Sequence, residues 1–178
     1  NRTITVRQTT DNGVSWAAAV TVATLAAAHT CRCLAGTLNG GLGTLYCFYS
    51  DTTTAGGATT IYSRTRAETG GAWSAATGWG RSDFTNPAGM YVNGTGATFY
   101  VFLCFGGTLR EYAVTNLAAW PAPTDRMKSD DPAVIYQDPS LAFNFDQFYY
   151  LFFTEYNTVT TTKTLTHVFG PQIDLWSL

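Results

Sequence analysis

The chain has 178 residues, of which 46% are hydrophobic and 15% aromatic, enough apolar side chain to bury a sizeable core and to exclude a disordered, merely solvating role. Charged residues make up only 12% and the formal net charge is −2, so no broad basic surface is present to neutralise phosphates or anionic lipid, and no nucleic-acid partner is expected. No apolar run is long enough to cross a bilayer, so no membrane insertion is expected either; the neutral polar surface of Thr, Ser, Asn and Gly points to an extracellular or virion-surface setting.

In chain order the sequence reads as a repeat of about fifty residues. Residues 1–25 are expected to hold the third and fourth strands of a unit whose first half lies outside the chain. The turn between them is TTDNGVSW at residues 9–16. There Asp11 can accept hydrogen bonds from turn amides, Gly13 can take a positive φ, and Trp16 is expected to pack into the seam between units.

Residues 26–83 are expected to form the first complete unit. Its innermost strand falls at 29–34, an aromatic strand TLYCFY at 44–49, an alternating partner TTIYSRTR at 59–66, and Trp73 closes it. Residues 84–127 repeat the plan, with an inner strand at 86–92, TFYVFLCF at 98–105, TLREYAVT at 108–115 and Trp120. Residues 128–178 repeat it again, with an inner strand at 131–136, FYYLFF at 148–153, TLTHVF at 164–169 and Trp176. The closing tryptophans Trp16, Trp73, Trp120 and Trp176 are 57, 47 and 56 residues apart, and each is expected to end a fourth strand.

Four strands per unit is the blade of a β-propeller, and a repeat of this length suits that architecture. The expected fold is therefore all-β, a propeller fragment of four-stranded antiparallel blades. Three and a half blades cannot close, so further blades of the same or another chain are expected partners. The tracts at 51–60 and 157–164, rich in Thr and Gly, read as long connections between second and third strands.

Cys31, Cys33, Cys47 and Cys104 show no CxxC pair and no zinc spacing. Alternation along a strand puts Cys31 and Cys33 on one face, awkward for a mutual bond, and all four read as small core residues rather than disulfides. Sequons stand at Asn1 and Asn93.

Two resemblances rest on these segments. Thr9, Asp11, Gly13, Ser15 and Trp16 fill the pattern of the Asp-box of sialidase-like propellers, and residues 68–73 (ETGGAW) resemble a degraded copy. DPAVIY at 131–136 with FYYLFFT at 148–154 looks like a blade of the five-bladed arabinanase and fructosidase type, and YAVTNLAAW at 112–120 is similar to their Ala, Ser, Asp, Leu, Trp pattern.

In those glycosidases an Asp at the start of an innermost strand faces the central funnel and works with carboxylates of other blades as acid, base or nucleophile. The resemblance implies that role for Asp131. Asn86 and His29 hold the equivalent position in the two preceding blades, so neither supplies an acid there. Glu111 and Glu155 are the candidate partner acids, and the arginine motif of the sialidases is not recognisable.

With acids this sparse, the leading expectation is a non-catalytic segment that binds carbohydrate or a cell-surface receptor, as in a tail fibre or spike. The alternatives are a glycoside hydrolase of sialidase-like or arabinanase-like type, and a purely structural surface protein. Trp79, Tyr91, Asp138 and Tyr156 are the candidate ligand-binding residues, the aromatic rings stacking on sugar faces and the carboxylate bonding hydroxyls. Propellers of this kind sometimes hold Ca²⁺ on the axis, but the sequence has no EF-hand loop or local acid cluster. Neither a metal nor another cofactor is expected, and His29 and His167 do not make a site by themselves.

Overall fold

A computed structural model describes residues 2–39, 42–53, 59–81, 87–95, 97–143, 149–172 and 175–177. Among them there is no helix, and hence none long and apolar enough to cross a membrane. The chain is all-β, with every pairing antiparallel between strands close in sequence.

β1 (Thr3–Val6) and β2 (Val20–Thr24) form a two-stranded sheet. The second sheet contains β3 (His29–Thr30), β4 (Leu34–Asn39), β5 (Thr44–Thr53), β6 (Thr59–Ala67) and β7 (Thr77–Gly78), with β3 and β4 both pairing β5. The third is β8 (Gly89–Thr95), β9 (Thr98–Phe105), β10 (Thr108–Val114) and β11 (Thr124–Lys128). The fourth is β12 (Val134–Phe143), β13 (Tyr149–Asn157), β14 (Lys163–Gln172) and β15 (Leu175–Ser177).

The aromatic runs became the second strands because they can be buried on both faces. In β9, Phe99, Val101 and Leu103 enter one core with Phe48 and Ile61 of the second sheet. The alternate residues Phe102 and Cys104 enter another with Leu151 and Phe153 of the fourth. Strand period two thus lets one strand serve two interfaces. The first strands β4, β8 and β12 lie at sheet edges and pack against each other in succession, β4 on β8 and β8 on β12. The sheets therefore meet along their inner strands, as blades do.

The tryptophans sit differently from the expectation. Trp16, Trp73 and Trp120 all precede the last strand of their sheet, which begins at Val20, Thr77 and Thr124, respectively, and Trp176 falls on β15. The reason is that the side chain works as a plug from the connection. Trp120 is buried edge-on to Trp79 at 5.3 Å between ring centroids and tilted to Tyr112 at 5.4 Å, while its indole N–H donates to the Leu117 carbonyl. Trp16 is a stronger departure: 56% of it is exposed, so it does not fill a seam within the described residues.

The inner strands also differ from the expected spans: in the second sheet the strand is split into β3 at His29–Thr30 and β4 from Leu34, in the third it is described from Gly89, and in the fourth it begins at Val134 after the turn at 131–133. In the second sheet residues 31–33 leave the ladder, and the amides of Arg32 and Cys33 both donate to Ser50 Oγ, at 2.8 and 3.0 Å. The expected strand alternation fails there. Cys31 packs with the first-sheet core and Cys33 with the core between the second and third sheets. All four cysteines are free thiols, and burial pushes Cys33 up to about 12 and Cys47 to about 11. The tract at 157–164 is shorter than expected as a connection: β13 reaches Asn157, whose Oδ1 accepts the Val159 and Thr160 amides, and β14 starts at Lys163. Residues 54–58 of the other tract lie outside the described residues.

Candidate functional site

In an antiparallel meander, the turn leading into the first strand and the hairpin between second and third strands share one end of the sheet. At that end stand His29 and Asp51 in the second sheet and Asp131 and Glu155 in the fourth. It is the end where the arabinanase resemblance puts the reacting acids.

Asp131 is exposed and builds the turn into β12. Its amide donates to Ser129 Oγ (3.1 Å), its Oδ1 accepts the Ala133 amide (2.8 Å), and its carbonyl accepts the Val134 amide (3.1 Å). Neighbouring hairpins lock this turn in place. Thr158 donates through both its amide and its hydroxyl to the Ala133 carbonyl, while Ser129 and Tyr136 amides donate to Gly107 and Gly106 of the third sheet. An acid placed this way is held on a rigid scaffold at the junction of two sheets.

Glu155 lies on β13 opposite Tyr136. Burial, reinforced by the Glu155 carboxylate, raises the Tyr136 phenol above its usual range, so this hydroxyl stays a proton donor near an acid. His29 Nδ1 and Asp51 Oδ1 are 2.5 Å apart, both half-buried, where β3 meets the end of β5. Sequence reading left this pair unseen: its members are 22 residues apart, and only the β3–β5 register brings them together.

Several expected site residues have other occupations. Trp79 is fully buried against Trp120 and Tyr112, so both faces of its indole belong to the core and none is open to a sugar. Tyr91 is half-buried on β8, tilted against Phe102, and burial raises its phenol. Tyr156 carries the Lys163 ammonium 5.6 Å from its ring centroid. Glu111 is buried in a bidentate pair with Arg126, Nε and Nη2 each 3.0 Å from a carboxylate oxygen, which makes it a cross-strand tie between β10 and β11. His167 lies among the rings of Tyr150 and Phe152. Asn86 and Asn1 are outside the described residues. Asp138 is exposed, at an irregularity of β12.

The turn at 9–16 is organised around Asp11. Thr9 Oγ1 and the Ser15 amide donate to Asp11 Oδ1 at 2.6 and 2.9 Å, Ser15 Oγ donates to Oδ2, and the Gly13 amide donates to Thr9 Oγ1. Gly13 takes φ +89°, which a side chain would resist. The Ser15 hydroxyl first, then Thr9 and the Ser15 amide, hold the Asp11 carboxyl down to about 2. Arg66 Nη2, from the far end of β6, donates to Gln8 Oε1, so this turn stands at the opposite end of the sheets from Asp131. Among the described residues, no group of three or more His, Cys, Asp or Glu is placed to hold a metal.

Antiparallel sheets, four-stranded in the third and fourth and five-stranded in the second, joined along their first strands, make this chain a propeller-like segment. No protein-family model matches the sequence, and no curated protein matches it. Among solved structures it is similar to the α-L-arabinanase of Penicillium chrysogenum complexed with arabinobiose, at 12% identity and TM-score 0.66, covering 97% of this chain and 56% of that one. It is also similar to the GH93 α-L-arabinofuranosidase of Fusarium graminearum with arabinobiose, at 13% identity, TM-score 0.67 and the same coverages. The same Fusarium enzyme with an iminosugar inhibitor gives 12% identity and TM-score 0.68, covering 96% and 55%. At such identity the likeness shows the fold, and the chain spans little more than half the length of these enzymes. The resemblance to arabinanase-type propellers is met at that level.

Proposed function

We propose that this chain is a segment of an extracellular glycoside hydrolase propeller acting on arabinose-containing oligosaccharides, with the Asp131 end as one wall of the substrate cleft. The observation that carries it is the superposition of nearly the whole chain on arabinan-acting enzymes. The rigid, exposed position of Asp131 supports the assignment of a reacting carboxylate there. Glu155, on the neighbouring strand of the same sheet, and the His29–Asp51 pair, at the same end of the second sheet, are the groups proposed to serve as partner acid or to bind hydroxyls. The neutral polar surface and low charge suit an extracellular or virion-surface location and a glycan partner.

The test is sugar release from arabinobiose and linear arabinan by the full-length protein, beside the Asp131→Asn variant. Release by the wild type with a loss of about 100-fold or more in the variant is the expected result. Binding without release would sustain the adhesin-like reading instead, and neither binding nor release would leave a structural role.

A further inference from the structure

Side chains of an inner strand alternate between the two faces of its sheet, so the strand's free edge ordinarily shows only backbone. β12 breaks this rule. Its register with β13 shifts between Gln137 and Ser140, which leaves Asp138 and Pro139 outside the ladder. Asp138 has φ +51°, in the left-handed region that disfavours any side chain, and the proline after it disfavours that region further. Its side chain is exposed while Pro139 is buried, and no hydrogen bond to its carboxylate is found among the described residues.

The neighbouring inner strand is shaped around this bulge. A Cβ on Gly89 of β8 would stand 2.5 Å from the Asp138 amide nitrogen and 2.7 Å from Pro139 Cδ, so only glycine lets the two strands meet. The second sheet has a parallel break: residues 31–33 interrupt its inner strand, and Arg32 there is exposed. Two of the three inner strands thus leave their ladders and present a charged side chain at the break. This strained residue leaves its side chain exposed at the break in the inner strand, and a carboxylate so placed can meet a ligand.

We infer that Asp138 is a saccharide-contacting residue on the inner edge of the propeller, its two oxygens accepting hydrogen bonds from neighbouring hydroxyls of one sugar ring. This inference rests on the arabinan-type reading above. It assigns a contact along the inner strand, apart from the turn that holds Asp131.

Calorimetric titration of the full-length protein with arabinobiose and longer arabino-oligosaccharides tests it, comparing wild type with Asp138→Asn and Asp138→Gly. Both replacements tolerate a positive φ, so their unfolding temperature should equal or exceed that of the wild type. Affinity should fall about tenfold or more, as expected for loss of a charged hydrogen-bond acceptor. Wild-type binding that persists unchanged in both variants would overturn the role of Asp138 alone. A lowered unfolding temperature in Asp138→Gly would also overturn it, since it would mean that the carboxylate stabilises the bulge. A wild type that binds no arabino-oligosaccharide would overturn the functional reading and this contact together.

Discussion

The first and third sheets differ in their surroundings as well as in their aromatic content. The third sheet has a neighbour on each side, and Val101, Phe102, Leu103, Cys104, Leu109, Tyr112 and Val114 are all fully buried. Among the described residues the first has two strands and packs on the second alone. Between them runs an apolar cleft of about 320 Å³, lined by Ile4, Val6, Val22, Leu34, Leu38 and Tyr46 among others. Leu34 and Leu38 on its wall are exposed, and so are Val14 and Trp16 in the turn that joins β1 to β2. Burial in a blade therefore depends on the sheets beside it as well as on its own composition.

The largest effect that sharpens this contrast should come from two tryptophans. Trp79→Ala removes a fully buried ring from contact with Trp120 and Tyr112, at a cost of about 3–5 kcal/mol. Trp16→Ala, at an exposed site, should stay within about 0.5 kcal/mol. Urea unfolding of both variants checks the difference, and comparable costs would mean that Trp16 has a covering partner.

A somewhat smaller loss is expected at the polar tie of the third sheet. Glu111→Gln leaves the Arg126 guanidinium without its bidentate carboxylate in a largely buried position, which should cost about 3 kcal/mol. Glu111→Gln paired with Arg126→Met should recover part of that in a double-mutant cycle; full additivity of the two would show the pair to be energetically idle.

The smallest effect belongs to the first sheet and depends on pH. The Asp11 carboxyl is depressed in the folded turn to about 2, so its contribution is fully present above the unfolded carboxylate range near 4 and disappears as pH falls from there through about 2. Exchange protection of the Ser15 amide, which donates to Asp11, should decline over that window in the wild type. In Asp11→Asn the protection should be weak and flat with pH. A pH-dependent profile in the variant would assign the titration to another group.

How much of this was legible in the sequence follows from range. The second and third strands could be read because density of aromatic and β-branched residues is a local property, and the expected runs at 44–49, 98–105, 59–66 and 108–115 lie on strands but for Thr115, just past the end of β10. The inner strand of the fourth sheet was placed early, since an Asp-Pro turn at 131–132 looks extended in one dimension, and that of the second was read straight through a hydroxyl-bridged gap at 31–33. Trp79 read as a loop aromatic because its partners Tyr112 and Trp120 lie 33 and 41 residues away. For the same reason the His29–Asp51 pair carried no signal. Nor did the left-handed turn at Asp138, where neither glycine nor asparagine announced a positive φ.

The two-core allegiance of β9 has a consequence for tolerance to change. Phe102 and Leu103 are joined by a peptide bond yet answer to different sheets, whereas Tyr46 and Phe99, more than fifty residues apart, have ring centroids 4.6 Å from each other. A single inserted residue in this strand would exchange the clientele of both interfaces at once, sending each large ring into a pocket cut for its neighbour. The middle of such a strand is thus an unforgiving place for a change of length, and the unequal repeat spacings are taken up in connections elsewhere in the units.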